Sequence, residues 1–153
     1  MLTLLKVCML LCFLLAAAWV DIRRKSVPNR LIAEGFLGWC VLLTAEIIVS
    51  GKLLIGQAVR ALLEGGLTLL VFFILAEISR HAIGMGDVKL LGMMALYCGV
   101  SRTYASFFYA LLMAAAVSLG LMAAGKRKRR DRIAFVPFLL AGYCLSFLFT
   151  GVN

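Results

Sequence analysis

Acidic residues are scarce in this chain: seven Asp and Glu stand against sixteen Lys and Arg in 153 residues, for a net charge of +9. Histidine is scarcer still, with His81 alone. A single histidine with no second ligand nearby makes no metal site, and neither Ser26 nor Ser79 has a base placed as in a catalytic triad. The five cysteines (Cys8, Cys12, Cys40, Cys98 and Cys144) contain no C-x-x-C pair and all fall inside apolar segments. They read as small hydrophobes rather than a zinc site or a disulfide framework. Serine-, cysteine- and metal-dependent hydrolysis therefore find no residues to carry them, and neither metal nor cofactor is expected. There is no internal repeat.

What the chain has in excess is apolar surface: 64% of residues are hydrophobic and the mean hydropathy is +1.05, where a soluble domain is nearer half apolar. The length suggests one domain spanning 1–153, without room for a separate soluble catalytic domain. Six apolar runs occur: Leu2–Val20, Leu31–Val49, Ala61–Ile78, Val88–Val100, Tyr104–Ala124 and Ile133–Thr150. Five of them have 18 to 21 residues, enough for a helix to cross a hydrocarbon core of roughly 30 Å. The fourth has 13, about 20 Å of helix. It crosses only if the Gly84–Gly86 segment dips into the membrane or the bilayer thins. Irregular backbone at that depth is tolerated inside protein or beside water, a first hint of a wet cavity near Asp87. The first run has Ala16-Ala17-Ala18 as a possible signal-peptide cleavage site, but Arg23, Arg24 and Lys25 follow at once and resist translocation, so it is read as a retained helix.

The basic residues lie mostly between these runs, which makes anionic lipid a better partner than nucleic acid. One set of loops carries twelve Lys and Arg, six of them in the stretch from Lys126 to Arg132, against four on the other side: Lys6, Lys52, Arg60 and Arg102. By the positive-inside rule the loops 21–30, 79–87 and 125–132 face the cytoplasm and both termini are external. The expected fold is all-α, a polytopic bundle of about six transmembrane helices.

A carboxylate near a bilayer needs a reason to be there. Arg30–Glu34, Arg60–Glu64, and Glu77 with Arg80 or His81 have the three- or four-residue spacing of same-face helical pairs. Glu46 can reach the outer interface, and Asp131 sits among basic residues. Asp21 and Asp87 have no such explanation. The first closes helix one, the second opens helix four, and the charge bias puts both at the cytoplasmic rim. Two carboxylates sharing a partly desolvated site do not both ionise easily; the pair holds one proton, as aspartic peptide hydrolysis requires. Alone, Asp87 also fits a helix N-cap, and Asp21 a solvated boundary residue balancing Arg24 or Lys25. Gly84 and Gly86 around Met85 permit close approach of a substrate backbone beside Asp87. Pro28 stiffens the entry to helix two, and Pro137 interrupts an apolar run where it could hold a cavity wall open.

In order, the chain reads DIRRKSVPNRL, GMGDVKLL and AFVPFLLAG. Together these resemble the prepilin peptidase family, membrane aspartic proteases that cleave leaders from type IV prepilins and related pseudopilins. The resemblance implies that Asp21 and Asp87 are the catalytic pair. It also implies a substrate with a short basic leader followed by an apolar helix, cut at the cytoplasmic face of the inner membrane in the service of pilus assembly or protein secretion. Long family members carry a cysteine-rich segment linked to N-methylation; this chain lacks it, which implies the short, peptidase-only form.

A chain of +9 should repel a basic leader, so the basic loops are expected to hold lipid headgroups while Glu77 and the Asp pair make the cleft locally negative. Lys89 points off the Asp87 face of its helix and reads as a snorkelling anchor. The competing readings are a presenilin-like protease, disfavoured by acids at the rim rather than mid-helix, a small proton-coupled transporter or channel subunit with Asp21 and Asp87 as a relay, and a scaffold subunit indifferent to both acids.

Overall fold

In the computed structural model the protein is all-helical; residues 2–24, 26–50, 55–79, 84–124 and 134–150 are described. There are five helices among them: α1 (Leu2–Arg24), α2 (Asn29–Ser50), α3 (Ile55–Ile78), α4 (Met85–Ala123) and α5 (Val136–Thr150). The first four are long and apolar enough to cross a membrane. Side chains such as Trp19, Leu37, Val41, Leu63 and Leu119 lie exposed on their outer faces, as lipid-facing positions do.

Each outer helix buries one stripe. On α1 it runs Leu10, Leu14, Ala17 and then Asp21; on α3, Gly65, Thr68, Phe72 and Ala76; on α5, Val136, Leu139, Tyr143 and Ser146. The spacing of three and four residues is that of a single helix face. The beginning of α4 differs, because Val88 and every residue from Leu90 to Ala95 are buried. The first part of this helix sits inside the bundle, so most of the short fourth run is covered by protein.

The fourth and fifth apolar runs are not separate helices. They join as α4 across one non-helical residue, Gly99, at φ 78° and ψ 167°. The chain doubles back there. Before Gly99, Leu96 packs on Gly65 and Gly92 on Leu69, so α4 descends α3. After it, the Val100 amide meets Glu64 and Phe107 stacks edge-on against Phe72, so α4 climbs α3 again. The sequence points to a break at the polar residues 101–103. The reversal instead falls on the glycine, because that combination of dihedrals is essentially closed to residues with a Cβ. Thr103 then donates to the Gly99 carbonyl at 2.9 Å and Glu64 accepts the Val100 N–H at 3.3 Å, tying down both sides of the turn.

Substituting Gly99→Ala is expected to lower stability by about 2 kcal/mol, because the new Cβ would also lie 3.1 Å from the Glu64 carboxylate. Gly66→Ala, where a Cβ meets nothing within 4 Å, serves as the control and should leave the melting temperature within a degree or two. Thermal unfolding of both variants in detergent checks this.

Of the expected ion pairs, Arg60–Glu64 forms at 2.8 Å. Glu46 is held at 2.6 Å by Lys6, from the far end of the neighbouring helix. Arg30 and Glu34 make no pair with each other. The residues from Lys126 to Arg132, with Lys25, Lys52, Arg80 and His81, lie outside the described residues, and with them the partners expected for Glu77.

Candidate active site

The alternation of helix direction brings the end of α1, the start of α2, the start of α4 and the start of α5 to one end of the bundle. The three motifs meet there. Asp21 continues the buried stripe of α1 and is only 5% exposed. Its Oδ2 accepts the backbone N–H of Val136 at 3.0 Å, the first residue of α5. The N-terminal amides of a helix lack intrahelical partners and carry its positive end, so a buried carboxylate is well placed there. Pro137 has no N–H to offer, which leaves the Val136 amide as the donor aimed at the acid.

Asp87 occupies the first turn of α4 and is half-buried. Its own N–H bonds to the Gly84 carbonyl at 2.9 Å, and its carboxylate folds back over Gly84, to within 3.2 Å of where a Cβ would stand. It makes no side-chain cap bond at the α4 N-terminus, where Gly84 holds the N-cap position. The negative charge that acts on it is Asp21. Two acids 66 residues apart in sequence thus lie on different helices at one end of the bundle, near enough for the charge of Asp21 to act on Asp87, with Asp21 fixed by a backbone donor.

Two further contacts hold the segments in register. Val27, between α1 and α2, packs against Gly86; a Cβ there would lie 3.2 Å from Val27 Cβ and 3.3 Å from its carbonyl oxygen. Lys89 Nζ donates to Asn29 Oδ1 at 3.0 Å. The stretch from Val27 to Asn29 therefore docks along the stretch from Gly86 to Lys89 at two points. Neither glycine of GMGD has a positive φ, which among the described glycines belongs to Gly99 alone. Gly86 is needed because Val27 of the same chain fills the space beside it. Gly84 is exposed, and among the described residues a Cβ there would meet only Asp87.

Pro137 does not interrupt α5 as the apolar run suggested; it is the helix's second residue, where its ring is well tolerated. Lys89 is exposed, off the Asp87 face, as expected. Glu77 lies exposed near the end of α3. Sequence reasoning missed Val27, Asn29 and the Val136 amide, although all three fall inside the quoted motifs. Among the described residues no cluster of His, Cys, Asp and Glu could hold a metal ion.

A helical membrane protein with two carboxylates converging at one end of the bundle is the class that the fold and the site define. Residues 8–119 match the type IV leader peptidase family, and the chain belongs to it. It is 26% identical over 136 residues, 89% of its length, to a "Prepilin leader peptidase/N-methyltransferase" from Bacillus subtilis (strain 168). The chain spans about half that relative's length, 52%. No solved structure matches significantly.

Proposed function

We propose that this protein is a membrane-embedded aspartic endopeptidase that removes the leader from type IV prepilins or pseudopilins at the cytoplasmic face of the inner membrane. The observation that carries the reading is the convergence of Asp21 and Asp87 beside the N-terminus of α5. In the mechanism the two carboxyls hold one proton between them. The ionised member takes a proton from a water molecule, and the neutral member donates a hydrogen bond to the scissile carbonyl oxygen. Water attacks the carbonyl carbon, the tetrahedral intermediate collapses, and the departing amine takes up a proton. A dry, partly buried setting strengthens each of these interactions.

The topology that goes with this function has six crossings, with α4 counted twice about Gly99, external termini and a single peptidase domain. Membranes containing the protein and a full-length prepilin should yield mature pilin and free leader. A proton-coupled transporter would leave the prepilin uncut.

The substrate's basic leader requires local negative charge in a positive protein, and Glu77, exposed near the end of α3, is assigned to supply part of it. Glu77→Lys should raise KM for a basic-leader substrate by about fivefold to tenfold with kcat little changed, the signature of lost binding common to ground and transition states. Charge reversal at Glu46 is expected to act through stability instead, because it sets two cations where Lys6 now pairs with an acid. KM and thermal unfolding measured side by side separate the two.

A further inference from the structure

A groove of about 550 Å³ opens between α2, α3 and the first half of α4, on a different side of α4 from the acids. Asp87 and Lys89 are two residues apart, about 200° around the helix. Gly65, Gly66 and Gly92 leave the space, and Phe36, Leu62 and Leu69, all well exposed, border it. At one end, where α2 and α4 begin, stands the ammonium of Lys89, held by Asn29. Lys89 makes no ion pair among the described residues.

We infer that this groove is a binding site for an anionic phospholipid, with an acyl chain along the glycine floor and the phosphate against Lys89. The inference rests on the membrane-embedded reading and not on the cleavage reaction. The argument is charge order. Along the groove a fixed cation at the rim gives way to apolar walls further in, and a phospholipid presents the complementary order, anion at the surface and hydrocarbon inward. A lysine beside an anionic headgroup gains in affinity, whereas an apolar helix preceded by a basic leader brings its own cations to the level of Lys89 and is repelled. A second copy of this chain would likewise bring basic loops to that level. The lysine is also pre-positioned by Asn29, so little side-chain freedom is lost on binding.

The site has a clean probe. A Cβ at Gly66 meets nothing within 4 Å and Gly66 lines the groove, so Gly66→Leu places its side chain in the groove with no backbone atom to displace at the Cβ. Full-length protein in detergent is titrated with phosphatidylglycerol or phosphatidylcholine, followed by native mass spectrometry and thermal unfolding. Wild-type protein should bind phosphatidylglycerol about fivefold more tightly than phosphatidylcholine, and Lys89→Gln should abolish that preference. Gly66→Leu should lose retention of both lipids while its lipid-free melting temperature stays at the wild-type value. Equal affinity for the two lipids in wild type, or lipid binding unchanged in both variants, overturns the proposal. Prepilin cleavage lost in Gly66→Leu with lipid binding intact also overturns it, and gives the groove to the substrate helix instead.

Discussion

Asparagine in place of either Asp21 or Asp87 should reduce leader cleavage by about 10³-fold or more, the scale of a lost general acid or base. The fold should survive both changes, and this is what makes the result informative. At position 21 an amide oxygen can still accept the Val136 N–H that the carboxylate accepts now at 3.0 Å. At position 87 the substitution removes a carboxyl on which the like charge of Asp21 acts, in a helix whose N-cap is Gly84. The Asp87→Asn variant should therefore be at least as stable as the parent while inactive. Residues retained for structure show the opposite pattern, in which stability falls with function. The measurement is prepilin processing by gel mobility with thermal unfolding of the same purified variants. Asp21→Glu should also be inactive, because one added methylene displaces the carboxylate from an amide set by the start of α5.

The second large effect is expected far from the acids. A Cβ at Gly142 would collide with the Ser106 carbonyl oxygen and lie 2.9 Å from the Ala110 nitrogen. Both atoms are backbone, so no side chain can swing aside. This is the close helix approach that small residues permit in membranes, where packing rather than the hydrophobic effect joins helices. Gly142→Ala should destabilise the protein by about 3 kcal/mol, at the upper end for overpacking. It should also reduce cleavage, because α5 cannot move off α4 without drawing the Val136 amide from Asp21. Gly120→Ala is the matched control on the same pair of elements: a Cβ there meets nothing within 4 Å, and the better helix former should leave stability within about 0.5 kcal/mol or raise it. Thermal unfolding and cleavage measured on both variants check this.

The parts of the structure that follow from periodicity were readable in advance. Leu10, Leu14 and Ala17 share a helix face, and the same spacing carries that face to Asp21, so the acid's burial was implicit in the apolar pattern. The charge bias of the loops placed Asp21 and Asp87 at the same end without reference to any contact, and the helix directions agree. The Arg60–Glu64 pair was legible because it is local; its second task of receiving the Val100 amide was not, because that depends on where a distant chain reverses. The reversal itself was misplaced, since polarity at Ser101 and Arg102 marks a surface while a turn of this kind needs the dihedrals that only Gly99 supplies. Lys6–Glu46 joins helix ends 40 residues apart and has no sequence signature. The Val136 amide is a backbone group, and its importance hinges on which residue begins α5, which hydropathy leaves open by two or three positions.

The most direct test of one shared site is the single-turnover cleavage rate of the Asp21→Asn/Asp87→Asn double variant beside the two single variants. Groups acting as one unit predict that the double variant is no slower than either single, since the first loss already disables the pair. Losses that multiply, or a single variant that keeps a tenth of the parent's rate, would contradict a mechanism built on both acids.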